Sequence, residues 1–180
     1  MLTSKALAPQ LLIQQCIAGK RAAQIQLYET YSPTMFGICL RYASDYHSAE
    51  DLLQEGFIKA FNNIDRFKGM GSFEGWLKRI FINTAIEQYR KNKRLSFLPL
   101  EREQQVNSQE TNALDNLAVQ DLLKLLQKTP YGYRTVFNLY AVEGYNHREI
   151  GDLLGISQGT SKSQLARART FIKKLLKEQN

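Results

Sequence analysis

Two cysteines, two histidines and one tryptophan in 180 residues leave little from which to build a disulfide framework or a metal site. Cys16 and Cys39, taken with His47 and His147, form no ligand spacing, so no metal and no cofactor are expected. A long apolar run is missing, as is a basic–apolar–small leader, which points to a soluble, cytoplasmic protein without membrane insertion. No phosphate-binding loop of the Walker type occurs, and no Ser/His/Asp set or carboxylate pair converges, so an enzyme is not expected. Alternating strand patterns are also lacking, and nearly every segment reads at helical period.

What the chain does have is an apolar complement of 43%, enough for a core, and an excess of base. It carries 24 Lys+Arg against 17 Asp+Glu, a net charge of +7, which favours an anionic partner such as nucleic acid. The excess is concentrated. Residues 78–94 hold six basic residues and one acid, and so do residues 155–180, whereas residues 95–130 hold three basic and five acidic ones. Two basic surfaces joined by a mildly acidic stretch suggest a two-point grip.

The pattern predicts helices over residues 11–18 and 20–31, then a third from a Ser32 N-cap and a Pro33 first turn to about residue 43. Ser48-Ala49-Glu50-Asp51 reads as a capping-box start for a helix to about Asn63, with Leu53, Phe57, Ala60, Phe61 and Ile64 on one face. Ser72 starts the next helix, whose apolar positions are Phe73, Trp76, Leu77, Ile80, Phe81 and Thr84. Periodicity fades over residues 95–114, which read as a flexible polar linker. Asp115 then caps a leucine-rich helix, and Thr129-Pro130 opens another that ends near Glu143-Gly144. Asn146 and Glu149 cap a short helix to Leu154, and a last helix runs over residues 158–177. The fold class is therefore all-α. Two small helical domains, 1–94 and 115–180, flank the linker.

A short helix, a turn at Gly155 and a basic helix make a helix-turn-helix, with the glycine supplying positive φ. Leu165, Ala168, Ile172 and Leu175 face inward, which leaves Gln158, Lys162, Ser163, Gln164 and Arg167 on the exposed sides of the first turns, where such a helix meets base edges. In the first domain, Asp51, Gln54 and Glu55 share a face opposite Leu53, Phe57 and Phe61 and suit a basic protein partner. The stretch "FKGMGSFEGWLKRI" then places Gly69, Gly71 and Gly75 among Phe67, Phe73 and Trp76, the last read as packing. The helix behind it carries a line of Arg79, Asn83, Glu87, Arg90 and Arg94. Read as residues alone, the last helix also fits a freestanding helix-turn-helix regulator, a reading that leaves the Asp51–Glu55 face and the glycine loop unexplained.

"SAEDLLQEGFIKAFNNIDRF", "FKGMGSFEGWLKRIFINTA" and "YRTVFNLYAVEGYNHREIGDLLGISQGTSKSQLARAR", in this order and spacing, resemble regions 2 and 4 of the extracytoplasmic-function sigma factors of bacterial RNA polymerase. The resemblance implies core polymerase as partner, through its β′ clamp helices and its β flap, together with promoter DNA and an anti-sigma factor. Asp51, Gln54 and Glu55 match the clamp-docking face. Phe67, Lys68, Gly69, Gly71 and Ser72 match the loop that captures a base flipped from the −10 element, and Arg79, Asn83 and Arg90 the helix on its upstream, paired part. Gln158, Lys162, Ser163, Gln164 and Arg167 match the −35 reader. The chain departs from the family at Ser161, where an apolar residue, usually valine, packs, and at Gln164, where arginine or histidine is frequent. Gly151 replaces a common alanine and should soften its helix.

Overall fold

The computed structural model describes residues 9–95 and 117–178, and among these there is no strand. In chain order the helices are α1 (Pro9–Ile17), α2 (Arg21–Tyr42), α3 (Tyr46–Asn62), α4 (Phe73–Leu95), α5 (Leu117–Lys128), α6 (Tyr131–Phe137), α7 (His147–Leu154) and α8 (Gln158–Glu178). A 3-10 turn, Ile64–Arg66, follows α3, and a π turn, Asn138–Val142, extends α6. The linker expected over residues 95–114 and the Asp115 cap lie outside the described residues, apart from Leu95, which ends α4.

Two expected starts are corrected. The break at Ser32-Pro33 does not occur: Pro33 lies inside α2. Proline removes one ladder hydrogen bond. Against that, a continuous rod buries Leu27 and Met35, both fully inaccessible, on either side of it. Nor does Ser48 cap α3. Asp45 does, its Oδ1 accepting from the Ser48 amide at 2.7 Å, so the helix begins at Tyr46. Both residues have the short polar side chains that caps favour, and the extended backbone of Asp45 decides between them.

Helices α2, α3 and α4 pack on one another, and the crossing of α3 and α4 is close because Gly56 has no Cβ: a methyl there would overlap the Phe81 ring. In the second half α6, α7 and α8 form the helix-turn-helix and its support. The two halves share one buried cluster reaching from Leu12 to Leu165. At the seam the Tyr89 and Tyr131 rings lie 5.6 Å apart, Arg41 pairs with Glu143 at 3.1 Å, and Asn138 Nδ2 donates to the Arg41 carbonyl at 2.6 Å. Arg134, only 1% exposed, donates to the carbonyls of Gln127 (2.9 Å) and Leu126 (3.4 Å) and to Ser44 Oγ (3.3 Å). Burial pulls its guanidinium down to about 10, with Tyr131 and Asp45 opposing. No described helix is long and apolar enough to cross a membrane.

Candidate nucleic-acid interface

The glycine loop is built on an aromatic floor. Phe67 and Phe73 meet edge to face at 5.2 Å, and Trp76 lies 5.7 Å from the first and 5.3 Å from the second. Trp76 is thus packing, as its position in the helix suggested. Ser72 caps α4, its Oγ accepting from the Gly75 amide at 3.0 Å. Between these fixed ends Gly69 and Gly71 take φ of +73° and +86°, values that side-chain-bearing residues rarely adopt. Lys68, Gly69, Gly71 and Ser72 are exposed, and Met70 between the two glycines is 86% exposed. Met70 is missing from the residues singled out in the sequence. Its signal was present in the order Gly-Met-Gly, which leaves an apolar side chain no neighbour to pack on.

On α4, Arg79 and Asn83 face solvent one turn apart. Arg90, expected in the same line, is engaged elsewhere. Its Nε donates to the Leu153 carbonyl at 2.6 Å and its Nη2 to the Asp152 carbonyl at 3.2 Å, while Lys93 Nζ donates to the Gly155 carbonyl at 3.0 Å. These cations thus hold the carbonyl end of α7, where orphan acceptors and the helix dipole attract positive charge.

The acidic trio divides. Asp51 and Gln54 are exposed and have no side-chain partner among the described residues. Glu55 is half-buried, pairing with Lys59 at 2.8 Å and accepting from Gln88 Nε2 at 3.1 Å, and Lys59 bonds Glu87 at 2.7 Å as well. Burial alone would raise the Glu55 carboxyl, but the hydrogen bonds from Lys59 and Gln88 and the lysine charge hold it below its ordinary value.

In the helix-turn-helix, the Asn146–Glu149 capping box forms in full: Asn146 Oδ1 accepts from the Arg148 and Glu149 amides, and Glu149 Oε2 from the Asn146 amide. Gly155 ends α7 at φ +63°, and Ser157 Oγ caps α8 through the Thr160 amide at 3.0 Å. Gly151 sits where the turn after α7 folds back on the helix. A Cβ there would stand 2.8 Å from the Ile156 carbonyl, so an alanine would have to push the turn outward. Gln158, Lys162, Ser163 and Arg167 are exposed as expected, with Arg167 Nη1 3.4 Å from Tyr133 Oη. Gln164 is the exception: its side chain is half-buried and lies against Gly132. It faces the seam instead of the outer surface of α8.

A second group went unread in the sequence. Ser161, fully buried, has its Oγ 2.9 Å from His147 Nδ1. Tyr140 stacks on the imidazole at 4.6 Å between centroids, and the Arg169 guanidinium lies 5.8 Å from the Tyr140 centroid. Burial, then the Lys162 and Arg169 charges, hold the imidazole below its ordinary value.

Among known families, Sigma-70 region 2 matches residues 27–95 and Sigma-70, region 4 matches residues 120–172. The ECF RNA polymerase sigma factor SigW of Bacillus subtilis is 32% identical, over 92% of this chain and 95% of its own. The ECF RNA polymerase sigma-E factor of Haemophilus influenzae is 28% identical, over 92% and 94%. A solved structure of the sigma factor RpoE of Bartonella quintana, in complex with the anti-sigma factor NepR, superposes with a TM-score of 0.50 at 26% identity over 84% of this chain and 95% of that one.

Proposed function

Because the chain belongs to the extracytoplasmic-function sigma factors, which bind core RNA polymerase and direct it to promoters, we propose a division of that work among named residues. Asp51, Gln54 and Glu55 dock on the β′ clamp helices, with Asp51 supplying the unshared charge. Phe67, Lys68, Gly69, Gly71 and Ser72 receive a base extruded from the −10 element. Arg79, Asn83 and, once released from α7, Arg90 hold the strand upstream of it. Gln158, Lys162, Ser163 and Arg167 read the −35 element. The observation that carries this reading is the loop: two positive-φ glycines hold an open backbone beside a rigid aromatic floor, directly before a helix with a basic and amide-bearing face.

The chemistry is binding, not catalysis. Extruding a base costs a few kcal/mol, which contacts to the displaced strand recover. The protein works in the cytoplasm with core polymerase, including its β flap, and is held in check by an anti-sigma factor. Transcription in vitro with core polymerase and a randomised promoter library tests the reading. Enrichment of a two-part promoter is expected. Sequence-specific DNA binding that is the same with and without core enzyme, and no transcription, would point to a freestanding regulator.

A further inference from the structure

We propose that His147 is a positioning residue for promoter reading, one that sets the pose of α8 through a strut of four side chains. This rests on the assignment of α8 to the −35 element. The strut begins and ends on α8. Ser161 Oγ meets His147 Nδ1 at 2.9 Å, Tyr140 stacks on the face of the imidazole, and the Arg169 guanidinium lies 5.8 Å from the Tyr140 centroid. Ser161 and Arg169 are eight positions apart, roughly 12 Å along the axis. A helix held at two such points, by partners on two other elements, is fixed against both rotation about its axis and rocking.

Each member has a structural reason to be where it is. His147 is the first residue of α7 and lies between the two residues that the capping box joins, Asn146 and Glu149. Tyr140 lies within the π turn, whose extra residue changes the direction in which side chains leave that segment. Ser161 is fully buried, and its hydroxyl has no other side-chain or carbonyl partner among the described residues. Resemblance leads one to expect an apolar contact there, which is tolerant of sliding. A hydrogen bond in the same place is directional, and satisfied buried polar pairs specify a single arrangement. The readers lie close by: Lys162 and Ser163 follow Ser161 directly, and Gln158 is one turn before it. The strut makes no hydrogen bond or ring contact with the DNA-facing groups assigned above, and only the Lys162 charge acts on its imidazole, so its effect on reading passes mainly through the pose of the helix.

The test compares four single variants and one double variant in holoenzyme reconstituted with core polymerase, competing a best −35 element against its single-base variants at several salt concentrations. His147→Leu and Ser161→Val remove the hydrogen bond while keeping bulk. His147→Asn keeps a polar atom near the Nδ1 position, and His147→Gln places it near Nε2 instead. Discrimination between best and variant elements should fall about tenfold in His147→Leu and in Ser161→Val, the range expected when a base contact loses its alignment. The double variant should fall no further, because the two act as one unit. His147→Asn should retain more discrimination than His147→Gln, with the salt slope unchanged throughout. Two results overturn the proposal: wild-type discrimination in His147→Leu, or equal loss on every sequence with a shallower salt slope, which would make His147 a phosphate contact. If the wild-type holoenzyme itself shows no −35 preference, the assignment of α8 fails first and takes this proposal with it.

Discussion

Arg90 on α4 donates to the Leu153 carbonyl on α7 at 2.6 Å, so a cation assigned to promoter DNA is spent on the other half of the same chain. Its Nη2 bond to Asp152 and the Lys93 bond to Gly155 repeat the pattern. Two of the five N–H groups of its guanidinium are thus committed to α7, and Arg90 can turn its whole fork to a phosphate only if α4 parts from α7.

Loosening the seam at a residue remote from the DNA groups should favour DNA. Glu143→Arg replaces the 3.1 Å ion pair to Arg41 with like charges. Without polymerase, the variant should bind a single-stranded −10 oligonucleotide about three- to tenfold tighter, as the competent fraction grows. Resonance energy transfer between labels on α3 and α8 should drop in parallel. Separated halves with unchanged affinity would show that the seam does not compete with DNA.

Gly56 and Gly37 should respond oppositely to alanine. At Gly56 the methyl overlaps the Phe81 ring, and overpacking of this kind costs about 1–3 kcal/mol. At Gly37, inside α2, a Cβ meets nothing within 4 Å, and alanine should stabilise by about 0.5–1 kcal/mol through helix propensity. Urea unfolding of both variants decides, and equal shifts would show that the tight α3–α4 crossing is not set by Gly56.

The acidic face should divide under charge reversal. Asp51→Lys should leave the melting temperature nearly unchanged and weaken core-polymerase binding at least tenfold, measured by competition for core enzyme. Glu55→Lys should also lower the melting temperature, because it sets a cation against Lys59 and removes the bond from Gln88. Wild-type core affinity in a folded Asp51→Lys would rule out docking through this face.

Met70 should matter to opening and not to closed binding. Met70→Ala keeps the backbone of the loop, yet permanganate reactivity of unpaired thymines at the promoter should fall severalfold, with Met70→Leu near wild type. An apolar side chain held out in water by two glycines suits insertion beside an unstacked base. Undiminished reactivity in Met70→Ala would leave opening to the glycine backbone alone.

Features with local causes were legible in the sequence. Asn146 and Glu149 stand three apart at the head of an amphipathic helix, and the capping box they form needs nothing from the rest of the chain. Gly155 and Ser72 were readable on the same ground. Misreadings came where distant partners decide. Pro33 signals a helix start, and only the burial of Leu27 and Met35 against the other helices carries α2 through it. Gln164 occupies a surface register of an isolated α8, but Gly132, thirty-two positions earlier, leaves room for its side chain to turn inward. The His147–Ser161 bond likewise spans fourteen residues of no periodic pattern. The family resemblance supplied the roles. Which cations are free to perform them depended on the contact between α4 and α7.

Arg134 has a further consequence. Burial against Ser44 and the carbonyls ending α5 lowers its proton affinity, which means that its enclosure disfavours the charge it carries. Ser44 belongs to the other half, so at this point the joint sets a hydroxyl against a cation whose enclosure works against its own charge, beside the shared apolar cluster and the tyrosine pair.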